Sequence, residues 1–219
     1  MNNSLDFLKN YKLFIVDYDG TLLDSMYMWR HLLSNFLNDN NIKYDEDIDE
    51  ISKEKTNSEA VKYIHDNYFK EISYLDLQNK MYEYVKKQYI LQNLKPGAKE
   101  FLKELKKHGK VVLFSATAIE LLTDSFMTNS INNYFDFVYS ASNMNTTKTD
   151  GIGFLKILEI ENVDKLDTLV VEDIYHAIKG AKKQGFATLS IYDNQEDYDK
   201  ILKISDYNIN LNELYKSGK

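Results

Sequence analysis

The stretch Leu13-Phe14-Ile15-Val16-Asp17-Tyr18-Asp19-Gly20-Thr21 decides how this chain is read. Four apolar residues in a row, too few for a helix of ordinary length, have the pattern of a strand buried on both faces, as in a parallel sheet. The run stops at two acids and a glycine, residue types that end a strand and open a turn. In an extended strand end, residues two apart point to the same side, so Asp17 and Asp19 can address one reacting centre. Two carboxylates so placed let one act as nucleophile or metal ligand and the other as proton donor. A strand followed by an acidic turn without chemistry has the same local pattern, so the rest of the chain has to decide.

Outward from this stretch, three further apolar runs look alike: Val111 to Phe114, Thr168 to Val171 and Ala187 to Ile191. Helical patterns separate them. Ala98 to Lys107 closes with His108-Gly109, and Ile174 to Lys183 closes with Gln184-Gly185, both glycine stops just before a strand. Strands alternating with helices of this length predict an α/β fold, a Rossmann-like parallel sheet with helices on both faces.

From about Met26 to Asn93 the alternation breaks. Trp29, Leu32, Leu33, Phe36 and Leu37 share one helical face. Thr56-Asn57-Ser58-Glu59 reads as a capping box opening a second helix with Val61, Ile64 and Tyr68 on its face. Leu77, Met81 and Val85 mark a third, and the acidic stretch Asp45 to Lys53 reads as a further short helix. The expected organisation is therefore a discontinuous α/β core, residues 1–24 and 94–219, interrupted by an inserted α-helical cap over 25–93.

Composition narrows the function classes. The 219 residues are 43% hydrophobic and 28% charged, enough apolar material for a real core. A formal charge of −7 argues against nucleic acid or an acidic membrane surface as partner. The absence of cysteine excludes disulfides, thiolate metal sites and cysteine nucleophiles. No targeting or membrane segment stands out, so the expectation is a cytoplasmic protein, monomeric by default.

Three more segments complete the chemistry. Ser115-Ala116-Thr117 ends the second apolar run, Lys148-Thr149-Asp150-Gly151 follows in a loop, and Glu172-Asp173 closes the third run. Singly, each has a bland reading: a strand-end hydroxyl, a solvated lysine, a helix N-cap. In this order they resemble the four motifs of the haloacid dehalogenase-like superfamily, whose first motif is Asp-x-Asp-Gly-Thr. The prolines usual around the lysine of the third motif are missing here. The resemblance extends over nearly the whole chain, because many members carry a cap where this helical insertion sits.

The resemblance implies a Mg²⁺-dependent phosphohydrolase acting on a small phosphorylated metabolite through an aspartyl-phosphate. It makes Asp17 the nucleophile and a Mg²⁺ ligand, and gives Asp19 a backbone-carbonyl bond to the metal and the acid/base role. Asp173 would complete the metal site with Glu172 as ligand or supporting partner, while Ser115, the Ala116 amide and Lys148 would hold the phosphoryl oxygens. A β-phosphoglucomutase-like phosphomutase is the nearest alternative. That group carries a histidine twelve positions after the nucleophile, where this chain has Trp29. Asp19 argues against metal-free dehalogenases and phosphonate hydrolases, which replace it. A non-catalytic binding module would normally have lost one of Asp17, Asp19 and Asp173. His31, His65, His108 and His176 are read as surface or packed side chains. Met26, Tyr27 and Trp29 are candidates for the cap's substrate face, with packing the favoured role for Trp29.

Overall fold

The structure, a computed structural model, describes residues 3–51, 57–193 and 197–217. It divides into two compact units: residues up to Asp24 together with those from Asn93 onward, and an inserted unit, Ser25–Gln92.

The first unit is built on a six-stranded sheet. Its strands are β1 (Leu13–Val16), β2 (Lys110–Ser115), β3 (Phe137–Ser140), β4 (Thr168–Glu172), β5 (Ala187–Ile191) and β6 (Tyr207–Ile209). They run in the order β3-β2-β1-β4-β5-β6, and every neighbouring pair is parallel. The fold is the Rossmann-like α/β architecture. All four residues of β1 are buried, because the strand is central and covered on both faces. Leu13 and Ile15 join Val112, Phe114, Phe154, Ile157 and Val170 in one core cluster. Each such side chain contributes roughly 1.5–3 kcal/mol by leaving water. Two strands, β3 and β6, were not visible as apolar runs. Both are short edge strands, and most of their residues are partly or fully exposed.

Helices connect the strands. Ala98–His108 leads into β2, Ile119–Asn129 joins β2 to β3, Ile152–Glu161 precedes β4, and Tyr175–Lys183 joins β4 to β5. No described helix is long and apolar enough to cross a membrane.

The inserted unit is helical over its described residues, with helices Met26–Arg30, Leu32–Asp39, Asn57–Tyr68 and Tyr74–Tyr89. Leu33, Phe36, Leu37, Ile64, Leu77 and Met81 form its own core. The stripe from Trp29 to Leu37 is not one helix, for the chain breaks at His31. There the Asp49 carboxylate accepts from the Ser34 amide at 3.0 Å, from its hydroxyl at 2.7 Å, and bonds the His31 ring at 2.9 Å. An external acceptor for an amide at a helix start compensates the bonds lost at the break. Trp29 packs its ring 5.8 Å from that of Tyr89. The Thr56 cap, with Ser52 and Lys53, lies outside the described residues. Of the short helix expected over Asp45 to Lys53, residues 46–49 are turns, with the Asp45 and Asp47 carbonyls accepting from the Ile48 and Glu50 amides, and Glu50 and Ile51 are helical.

Candidate active site

The carboxyl ends of the three central strands bring the four motifs together. Ligands of open parallel sheets bind beyond these ends, where the strand order reverses. Asp17 continues β1, and its amide still donates to the Val171 carbonyl at 2.9 Å. Ser115 is the last residue of β2, and Glu172 the last of β4.

Side-chain alternation at the end of β1 follows from the backbone, and Tyr18 makes it visible. Tyr18 is fully buried, its hydroxyl 2.8 Å from Ser125 Oγ and its ring edge-on to Phe126. Asp17 and Asp19, on either side, reach other partners on the site. The turn after them is closed by the Tyr18 carbonyl, which accepts from the amides of Leu22 and Leu23 at 2.9 and 2.8 Å. It passes through Gly20 at φ 80°, a left-handed conformation that disfavours a side chain.

Asp17, Glu172 and Asp173 are buried, and each offers a carboxylate oxygen within 4.8 Å of the others. Lys148 bridges two of them. Its Nζ donates to Asp17 Oδ1 and, at 2.7 Å, to Glu172 Oε1. The other Glu172 oxygen accepts from the amide of Asp173 at 3.2 Å. Thr21 Oγ1 donates to Asp173 Oδ1 at 2.7 Å and so fixes that carboxylate from the β1 side. Thr21 is a positioning contact that sequence reasoning quoted without giving it a role.

Electrostatics in the cluster are strained. Burial, then the charge of Glu172, push the Asp17 carboxyl up to about 7, against the lowering pull of the Lys148 ammonium. Burial and the charges of Asp17 and Glu172 push Asp173 well above the usual carboxylate range. For Lys148, burial opposes the charge, but Asp17 and Glu172 outweigh it and hold the ammonium above its ordinary pKa. Lys148 is the only ammonium bonded to this set among the described residues, and the more distant Lys95 charge pulls Asp173 down without offsetting its rise, so three buried carboxylates form an unbalanced set that favours additional positive charge.

Asp19 turns toward the end of β2. Thr117 Oγ1 donates to its Oδ2 at 2.7 Å, and Ser115 Oγ lies 3.5 Å from the same oxygen. Ser115 Oγ in turn accepts from the Thr117 amide at 3.0 Å. Thr117 is thus a second residue whose place the sequence did not give away. Ala116 is exposed at the same strand end. His176 is exposed on the helix after β4 and stands outside the cluster, its ring near Tyr175.

The Lys148 loop is held without proline. Gly151 takes φ 79°, its amide donates to the Lys148 carbonyl at 3.1 Å, and the Ile152 amide is capped by Asp150 at 3.0 Å. The loop rests directly on the backbone of Gly180, where an added Cβ would fall 2.6 Å from the Thr149 carbonyl oxygen. Gly180→Ala should accordingly displace the loop at a cost of about 1–3 kcal/mol. Thermal melting checks this: a fall of several degrees is expected, and an unchanged transition would mean that the loop yields freely.

A Rossmann-like parallel sheet with a carboxylate–lysine centre at its carboxyl ends is thus the class that fold and site define. Residues 14–191 match the family described as haloacid dehalogenase-like hydrolase, and the chain belongs to that family. Among curated proteins, none matches the sequence. Solved structures share the fold at low identity. A Thermotoga maritima protein provisionally assigned as a β-phosphoglucomutase is 20% identical, with TM-score 0.80 over 94% of this chain and 97% of that one. CbbY from Rhodobacter sphaeroides, solved with phosphate, is 14% identical, with TM-score 0.71 over 93% and 96%. YfnB from Bacillus subtilis, provisionally a hydrolase of this family and bound to magnesium, is 19% identical, with TM-score 0.70 over 95% and 98%.

Proposed function

We propose that the protein is a Mg²⁺-dependent phosphoric monoester hydrolase acting on a small phosphorylated metabolite, with Asp17 as nucleophile. The observation that carries the reading is the buried set Asp17, Glu172 and Asp173 tied to Lys148 at the sheet's carboxyl ends. Hard carboxylate oxygens in a cluster with excess negative charge suit Mg²⁺. Asp17 and Asp173 would hold the ion by their carboxylates and Asp19 by its backbone carbonyl, with Glu172 beside them. When bound, Mg²⁺ supplies positive charge that offsets the repulsion between a carboxylate and a phosphate dianion.

The chain's own groups divide the remaining work. Asp17 attacks phosphorus with one carboxylate oxygen, forming an acyl phosphate as the ester oxygen leaves. Asp19 donates a proton to that leaving oxygen, then takes one from the water that hydrolyses the acyl phosphate. Lys148 neutralises charge on the phosphoryl oxygens, and the Ser115 hydroxyl and Ala116 amide donate hydrogen bonds to them. In this reading the inserted unit, residues 25–93, selects the leaving group and excludes water. CbbY, which takes phosphate in one crystal and xylulose-(1,5)-bisphosphate in another, supports a phosphorylated substrate.

The test is phosphate release from p-nitrophenyl phosphate and a panel of phosphorylated metabolites, with Mg²⁺ and with EDTA. Release that requires Mg²⁺ is expected. Isomerised sugar phosphate without release would replace hydrolysis by mutase activity. Metal binding has a separate readout. At a hundredfold excess over Kd, Mg²⁺ should stabilise the fold by about 2.7 kcal/mol. For a chain of this size that corresponds to a rise in Tm of about 5–10 °C. Asp173→Asn should show that rise only at much higher Mg²⁺. A wild-type Tm indifferent to Mg²⁺ would remove the ion from the account.

A further inference from the structure

Lys95 is a cation that the chemistry above does not use. It lies on the return path from the inserted unit, where residues 93–95 pair with residues 22–24. The Lys95 amide donates to the Leu22 carbonyl at 2.8 Å, and the Asp24 amide to the Asn93 carbonyl at 2.9 Å. Leu23 and Leu94 form an antiparallel bridge between them. The side chain then reaches in two directions. Nζ donates to the Gly20 carbonyl, in the turn directly after Asp19, and pairs with Asp193 Oδ1 at 2.8 Å, just beyond the end of β5. The Tyr192 carbonyl lies 3.4 Å away. The pair is nearly out of solvent, with side-chain exposures of 11% for Lys95 and 14% for Asp193.

A solvated surface ion pair would carry little weight. This one is different in three respects. It is mostly desolvated, so breaking it by removing one partner is costly. One of its bonds goes to a carbonyl of the turn that aims Asp19. That turn has no side chain at Gly20 to hold it, and its φ of 80° leaves glycine's wider conformational range open to it.

We propose that Lys95 is a positioning residue: by clamping the Gly20 carbonyl against Asp193, it holds the Asp19–Thr21 turn in the geometry proton transfer needs. The clamp joins the loop after β5 to the linker that re-enters the core from the inserted unit. It rests on the hydrolase reading for its kinetic consequence, though not for its structural one.

Two measurements test it. Removing the lysine alone would leave the charge of Asp193 without its ion-pair partner in a mostly desolvated place, so the informative variant is Lys95→Met with Asp193→Asn. Its kcat should fall about tenfold with KM changed less than about twofold, since positioning acts in the transition state. Lys95→Arg should retain most of the activity. In an Asp19→Asn background the same double substitution should cost less than about twofold, because residues acting through one another are not additive. Equal losses in both backgrounds, or an unchanged kcat in the first, would overturn the proposal. The second measurement is amide hydrogen exchange at Gly20, Leu22 and Leu23, with Val112 in β2 as internal control. Exchange at the turn should accelerate about tenfold in the double variant while Val112 is unaffected. Exchange unchanged at the turn would overturn the clamp. Should the wild type hydrolyse no phosphoester, it is the hydrolase reading that fails, and the exchange measurement alone decides on Lys95.

Discussion

Asp17→Asn is expected to lower phosphoester turnover on the order of 10³–10⁶-fold, the scale of losing a covalent nucleophile. An amide keeps the shape of the side chain but has no anionic oxygen to attack phosphorus. The fold should survive. Burial, then the charge of Glu172, push the Asp17 carboxyl up to about 7, so a neutral side chain there removes a desolvation cost and relieves repulsion. Against this, the ion pair with Lys148 becomes a neutral-acceptor bond, while Lys148 keeps Glu172 at 2.7 Å. The two effects oppose each other, so a cooperative melt near that of the wild type is expected. Turnover within about tenfold of the wild type would exclude Asp17 as nucleophile.

Asp19→Asn should cost about 10²–10⁴-fold, the usual range for removing a general acid/base. The loss should depend on the leaving group. An alkyl phosphate needs its departing oxygen protonated, whereas p-nitrophenolate leaves without help, so the alkyl ester should suffer more. The second step, attack of water on the acyl phosphate, needs Asp19 for both substrates, so neither should escape entirely. Thr117 Oγ1 already holds the Asp19 carboxylate at 2.7 Å, and an asparagine oxygen can accept the same bond, so the side chain should keep its place. Equal losses on both esters would argue that Asp19 works through the metal or the turn rather than as an acid.

Much of the molecule was legible from its residues, for reasons that differ by element. β1, β2, β4 and β5 are covered by helices on both faces, and full burial demands the continuous apolar runs that mark them. β3 and β6 escaped notice because edge strands bury less. Phe137 is half exposed, and Asn208 faces solvent. The helical stripe from Trp29 to Leu37 concealed a break at His31 because periodicity is insensitive to one irregular residue. Only the distant Asp49 carboxylate reveals it.

In the candidate site, groups that can react are conspicuous as types, and groups that hold them are not. Asp17, Lys148, Glu172 and Asp173 are brought together as acids and a lysine at strand ends. Thr21 and Thr117 act through single side-chain hydrogen bonds across 152 and 98 residues of sequence, and Lys95 through bonds to Gly20 and Asp193 that are 75 and 98 residues away, and no local pattern encodes such pairings. The missing prolines around Lys148 had their replacement elsewhere in the chain, in the close approach of Gly180 to the loop.

The central claim is that phosphoryl transfer passes through Asp17, and acid-quenched peptide mapping tests it most directly. The enzyme is mixed with a turning-over phosphoester and Mg²⁺, quenched within milliseconds, digested at low pH and read by mass spectrometry. The expected result is a hydroxylamine-labile phosphoryl group on the peptide carrying Asp17, absent from Asp17→Asn. Full turnover with that peptide unmodified under conditions that preserve acyl phosphates, or a phosphoryl group on another residue, would contradict it.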